Sequence, residues 1–361
     1  MIHCSREDNK GEETMNIRLL GFTFASVLLA AAAGRADTND QLYAKAKAEK
    51  SLVLYTGGPV GPWEARAKAF KDRYPGIEVS ITGGFSNVLD QKIEQQLKDK
   101  KLEVDIAAFQ TVQDFVAWKK RGVLLRFKPD GFDKIAPAFR DKDGAYTTLS
   151  VITLSYAYNP KLVAAADVPR GALDFLKPKF AGQLVSAYPA DDDATLYVFY
   201  TIVQKHGWGY MDKYMALKPN FIQGHLGALR SITSGDNLVT FDATVSTTGE
   251  LKRAGQPIEF AFAAKEPTPV FTLTGGIFKA APHPNAAKLF LNWYMAKEQQ
   301  SQTGSFSART DVPPPAGLKP LSAYKLANHY RELVTNDKLM ADLRKRFEAY
   351  TGPVKNQGGV R

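Results

Sequence analysis

Cysteine is nearly absent: the 361-residue chain has one, Cys4, close to its start. A disulfide framework and a Cys-based metal site are therefore excluded, and packed cores must supply the stability. Histidine is sparse, and His206, His225, His283 and His329 lack metal spacing such as His-x3-His. Of these only His225, at a helix entry, stands out. No Gly-x-Ser-x-Gly elbow, Walker loop or HExxH helix occurs. Catalytic groups can assemble from distant positions, but nothing here argues for an enzyme, a cofactor or a metal. No repeat strong enough for a solenoid and no nucleic-acid-binding motif is present.

Long apolar runs are also lacking, with one exception. Met15-Asn16-Ile17-Arg18 is a short positive stretch, and Leu19 to Ala33 is apolar. Gly34-Arg35-Ala36 then offers small residues at the −3 and −1 positions. This is the pattern of an export signal cleaved after Ala36, with residues 1 to 14 an upstream extension and the start at either Met1 or Met15. The run is too short for a permanent membrane helix, and no Cys follows it to carry a lipid. Export implies a periplasmic location.

Hydrophobic residues make up 44% and charged residues 23%, a soluble globular balance, over a length that suits two domains. The net charge is +10, but Lys98-Asp99-Lys100-Lys101, Lys119-Lys120-Arg121 and Arg344-Lys345-Arg346 read as solvated helix faces. No nucleic-acid partner is expected.

Against these absences, residues 52 to 97 are rich in signals. Leu52 to Tyr55 is an apolar run that stops at Thr56-Gly57-Gly58-Pro59, and Ile77 to Ile81 stops at Thr82-Gly83-Gly84. A helical pattern follows each. Strand, glycine turn and helix, twice over, open a parallel α/β sheet whose helix starts face one crevice. In the first helix Trp63, Ala67, Phe70 and Tyr74 share a face. The second opens at Ser86-Asn87, both good caps, and presents Leu89, Ile93 and Leu97. Val104 to Thr111 is a third strand, Phe115 and Trp118 mark its helix, and Gly122 to Leu125 is a short strand. Thr147 to Tyr158 is one long β run, matched by Val270 to Phe278. Between them lie a strand at Val185, an acidic loop, an apolar helix, a helix from Gln223, and strands Leu238 to Phe241 and Ile258 to Ala263. Ala281 to Lys297 is a helix burying Leu289, Phe290, Trp293 and Tyr294, and the tail adds amphipathic helices. The two long β runs read as crossings between two discontinuous lobes, 37–150 with 268–303 and 151–267 with 304–361.

Several segments in this order carry a resemblance: Leu54-Tyr55-Thr56-Gly57, Tyr74-Pro75-Gly76-Ile77-Glu78-Val79, Asp105-Ile106, Tyr158-Asn159-Pro160-Lys161-Leu162, Ser234-Gly235-Asp236 and Ala281-Pro282-His283-Pro284. The chain resembles the extracellular solute-binding proteins of ABC importers, on the branch that includes the ferric-iron-binding proteins. The resemblance implies an α/β, type II periplasmic binding fold: two lobes, a hinge and a ligand cleft. It also implies delivery of a small solute to an ABC permease driven by an ATPase, by a monomer that meets the membrane only through that permease.

In the ferric branch, iron is held by a His after the first strand, a Glu after the third and a Tyr pair from the second lobe. Here those places hold Gly57-Gly58, Gln110 and Val245-Ser246. A hard ferric ion needs anionic oxygen ligands, so the resemblance implies a cleft without metal. The branch also binds an anion at a second-lobe helix start, which here is Ala190-Asp191-Asp192-Asp193. These aspartates either cap the helix or accept from solute hydroxyl or ammonium groups, while Ser86 and Asn87 suit an anionic head group. The expected ligand is a small polar organic solute. The expected contacts are Tyr55, Thr56, Gly57, Gly58, Ser86, Asn87, Gln110, Ser150, Tyr188, Asp191, Asp192, Asp193, Asp242 and Ser246. Tyr55, Thr56 and Tyr188 read equally well as core residues. Rival readings are a ferric-iron or other metal carrier, a protein feeding a sensor kinase, and a periplasmic α/β enzyme.

Overall fold

A computed structural model describes residues 37–355. The leader, its cleavage point after Ala36 and Cys4 lie outside the described residues. No helix among them is long and apolar enough to cross a membrane.

Helix α1 (Asn39–Glu49) opens with a capping box, in which Thr38 Oγ1 accepts from Gln41 N–H and Gln41 Oε1 accepts from Thr38 N–H. Then come β1 (Ser51–Gly57), α2 (Gly61–Arg73), β2 (Glu78–Gly84), α3 (Ser86–Lys98), β3 (Ile106–Phe109) and α4 (Val112–Arg121). Trp63, Ala67 and Phe70 form the buried stripe of α2, whereas α3 buries Leu89 and Ile93 and leaves Leu97 half-buried. Strands β2, β1 and β3 are parallel, with Leu54 opposite Ile81 on one side and Ile106 on the other. Helices cover such strands on both faces, which accounts for the wholly buried run Ile106–Phe109. The strand expected at Gly122 to Leu125 is reduced to one bridge, Leu124 opposite Phe278.

Next comes β4 (Thr147–Tyr158), the length of the expected run, then β5 (Val185–Ser186), α5 (Asp193–His206) and α6 (Gly209–Ala216). They lead to β6 (Asn220–Phe221), α7 (His225–Ser234), β7 (Val239–Thr244), α8 (Val245–Arg253), β8 (Glu259–Ala261) and β9 (Thr268–Ile277). The chain closes with α9 (Pro284–Met295), α10 (Lys297–Gln300), β10 (Leu326–Ala327), α11 (Tyr330–Val334) and α12 (Asp337–Thr351).

Two long strands change partners along their length. β4 pairs with β9 from Thr147 to Thr153, then with β7 and β8 from Leu154 onward, all antiparallel. β9 pairs antiparallel with β3 at one end and parallel with β10 at the other. The sheet therefore reads β2-β1-β3-β9-β4-β7. Aromatic side chains fill the core around both halves: Phe109, Phe115, Trp118 and Phe278 near β3, and Phe175, Phe199, Tyr214 and Phe241 near β7. Burial of each contributes about 1.5–3 kcal/mol against exposure, and all of them belong to one continuous core that runs around the shared strands.

Candidate functional site

Strands that end at a common edge bring the starts of their following helices together. The first residues or caps of α3, α4, α5, α7 and α8 line one cleft of about 1370 Å³. Such starts carry peptide N–H groups without an intrahelical partner. Only α5 has a side-chain cap, Asp192; α3, α4, α7 and α8 have none. The wall is thus rich in free donors and in the positive ends of helix dipoles. The volume exceeds the 300–1,000 Å³ or so of usual small-molecule pockets.

On one side the two glycine turns pack together, with Gly57 opposite Gly84 in register and Gly58 N–H donating to Gly84 C=O at 2.8 Å. Gln110 lies against them: its Oε1 accepts from Ser86 Oγ at 3.0 Å and its Nε2 donates to Gly57 C=O at 3.4 Å. A Cβ on Gly57 would stand 2.3 Å from both Gln110 Oε1 and Ser86 Oγ, so only glycine admits this pair. The cap of α3 is Phe85 rather than Ser86 or Asn87, so the helix starts directly after β2 ends at Gly84, one residue earlier than expected.

The opposite side is built on the acidic loop, whose carboxylates are largely committed within the protein. Asp192 Oδ1 accepts from Ala194 and Thr195 N–H, both at 2.9 Å, and its Oδ2 lies 3.5 Å from His225 Nδ1. His225 Nε2 meets Asp242 Oδ1 at 2.9 Å. Asp242 is fully buried, and its Oδ2 accepts from Ser186 Oγ, Thr195 Oγ1 and Ala187 N–H. Burial alone would lower the His225 pKa, but Asp242 and Asp192 outweigh it and raise it to about 9. His225 is accordingly a cation at neutral pH. Burial disfavours the Asp242 carboxylate, yet the His225 charge and these donors hold its pKa below the ordinary value. Burial pushes Asp192 upward in spite of His225. Asp193 pairs with Arg344 of α12 and accepts from Gln113 Nε2 at 2.8 Å. Asp191 accepts from Gln223 Nε2 at 3.0 Å.

Of the expected contacts, Gly58, Ser86, Asn87, Gln110, Asp191, Asp192, Asp193 and Ser246 line the cleft. The others do not. Gly57 sits behind the Gln110–Ser86 pair. Tyr55 faces away, its hydroxyl donating to Glu103 and accepting from Gln96, with the Lys92 ammonium 4.7 Å over its ring. Thr56 is fully buried, and Tyr188 packs in the core with its ring 5.6 Å from Phe221. Ser150 is buried in β4 next to a register shift, and Ile152 reaches the cleft instead. Asp242 lies beneath His225, on a strand that is buried along its whole length to Thr244. Arg230, Thr247, Thr111, Tyr330 and Arg344 line the cleft without having been expected there, and so does His225, which stands out in the sequence only as the histidine at a helix entry. The run of three hydroxyls before Gly249 was the one local sign of the α8 start; nothing in the sequence marks the two C-terminal residues. No group of three or more His, Cys, Asp or Glu side chains among the described residues is arranged to hold a metal.

Comparison with known proteins agrees with this geometry. A family model described as bacterial extracellular solute-binding protein matches residues 57–301. A probable ABC transporter periplasmic-binding protein of Sinorhizobium fredii is 22% identical over 325 residues, covering 86% of this chain and 84% of its own. Iron-bound HitA from Pseudomonas aeruginosa has a similar fold, with TM-score 0.68 and 19% identity over 82% of this chain and 99% of that one. AfuA from Actinobacillus pleuropneumoniae, with fructose-6-phosphate bound, gives TM-score 0.68 and 20% identity over 83% and 98%. The fold is α/β, of the type II periplasmic binding class, and the chain belongs to the bacterial extracellular solute-binding protein family.

Proposed function

We propose that this protein is the solute-binding component of an ABC importer and captures a small polar organic solute between two lobes. The observation that carries this reading is the wall of the cleft: neutral hydrogen-bonding groups and free peptide donors, with most of its charges already paired. Lobes of residues 37–150 with 268–303 and 151–267 with 304–361 close over the solute, and β4 and β9 serve as the hinge. The partner change within β4 at Leu154 supports that division. The chain is exported with cleavage after Ala36, acts as a monomer, and hands its solute to a permease coupled to an ATPase.

One structural relative is iron-bound and another has exogenous fructose-6-phosphate bound. The donor set here favours the organic ligand. Gln110 is a neutral amide held by Ser86 and Gly57, Ser246 is a neutral hydroxyl, and Asp192 and Asp193 are taken up by His225 and Arg344. A hard trivalent ion would need several of these carboxylates freed first. A thermal-shift screen of the purified protein against polyols, amino compounds, organic acids, phosphorylated metabolites and ferric salts tests the reading. An organic ligand should raise the melting temperature by mass action. A rise with ferric salts alone would assign the protein to metal transport.

A further inference from the structure

The charges lining the cleft do not all cancel, and the remainder describes a ligand. His225 is spent between Asp192 and Asp242, and Arg344 is spent on Asp193. Asp236, exposed at the rim, accepts from Ser234 Oγ at 2.7 Å. Three charged side chains are left without an ion-pair partner: this carboxylate at the exposed rim, and two more. Asp191 engages Gln223 through Oδ2 alone, so its Oδ1 is free to face the cleft. Arg230, exposed on α7, has no acidic partner among the described residues. From His225, which stands beside Asp192, to Arg230 is five residues, about 7.5 Å along the helix axis.

We propose that the cleft takes a zwitterionic solute, its cationic group on Asp191 and its oxyanion on the Arg230 side among the uncapped helix starts. This rests on the solute-binding reading above and names the solute class. When the cleft shuts, every charge left inside without a partner loses its hydration uncompensated. A neutral polyol would strand both Asp191 and Arg230. A simple anion would strand Asp191, and a simple cation would strand Arg230. A zwitterion strands neither, so discrimination arises as much from what the rejected solutes leave unpaired as from what the accepted one gains. Across the cleft, the Asn87 side chain and the uncapped start of α3 add neutral donors for the oxyanion. A solute touching both walls binds the closed form more tightly than the open one, and this differential affinity drives closure.

The test is calorimetric titration of the purified protein with four charge classes. 4-Aminobutyrate and phosphoethanolamine represent zwitterions, butyrate and glycerol phosphate anions, butylamine and ethanolamine cations, and glycerol and glucose neutral polyols; each class is then widened by thermal shift. Binding should be confined to zwitterions. Asp191→Asn should weaken the best of them about 30-fold or more without moving the melting temperature of the free protein. Asp191→Glu should recover part of the loss, and Arg230→Gln should weaken the same ligand. A best ligand that is neutral or singly charged overturns the zwitterion assignment and leaves the solute-binding reading standing. So does an Asp191→Asn protein with unchanged affinity. A protein that binds none of the four classes contradicts the solute-binding reading itself, and this inference with it.

Discussion

His225→Gln removes one charge from the wall of the cleft and keeps a side chain able to donate to Asp242. The imidazole is mostly buried, with its side chain 14% exposed. Its pKa rises from 6.5 to about 9 in the folded protein. At about 1.36 kcal/mol for each tenfold change, the charged form contributes about 3 kcal/mol to folding. Between the two pKa values the folded state holds a proton that the unfolded state has released, so stability falls as pH rises. The contribution is complete below about pH 6.5 and gone above about pH 9. Urea unfolding of the native protein and of His225→Gln should differ by about 3 kcal/mol near pH 6, by less near pH 8, and by little near pH 9.5. A gap of equal size at all three pH values would show that His225 is not held as a cation by Asp192 and Asp242.

Other perturbations have equally definite outcomes. Burial, reinforced by Asp90, Asp193 and Glu94, raises the Asp114 pKa to about 7, so the folded state resists its ionisation and loses stability as pH climbs from about 4 to about 7. Asp114→Asn should therefore raise the melting temperature near pH 8 and leave it almost unchanged near pH 4. Gly57→Ala places a methyl against Gln110 and Ser86, and should cost about 1–3 kcal/mol in urea unfolding while weakening solute binding. Asp105 is buried and accepts from Val53 N–H, His283 N–H and His283 Nδ1 at 2.7–2.9 Å. Asp105→Ala should destabilise by about 3 kcal/mol, chiefly through the donors it leaves unpaired, with binding intact in whatever fraction remains folded.

Much of the fold was legible because it rests on short-range patterns. The spacing of Trp63, Ala67 and Phe70 is a helical stripe, and the twelve residues of β4 form one β run in the sequence as in the sheet. Helix α8 was not legible, since Val-Ser-Thr-Thr-Gly-Glu-Leu-Lys-Arg has no continuous apolar face and its place is fixed by packing on β4 and β8. In the site, the glycine turns and the acidic loop announced themselves. The electrostatic state of that loop did not, because it depends on partners distant in sequence. His225 comes more than thirty residues after Asp192, and Arg344 about one hundred and fifty after Asp193. Asp242 lies under His225 instead of facing the cleft because β7 is buried along its whole length, and the α3 cap falls at Phe85, whose side chain gives no capping signal.

The most direct test of the central claim is a calorimetric titration of the organic ligand identified by screening, run in a chelating buffer and followed by analysis of the recovered ligand. Stoichiometric binding of one solute per chain, with no metal required and the solute recovered unchanged, is the predicted result. Binding that disappears on chelation and returns with ferric ion, or a solute recovered as a different compound, would contradict it.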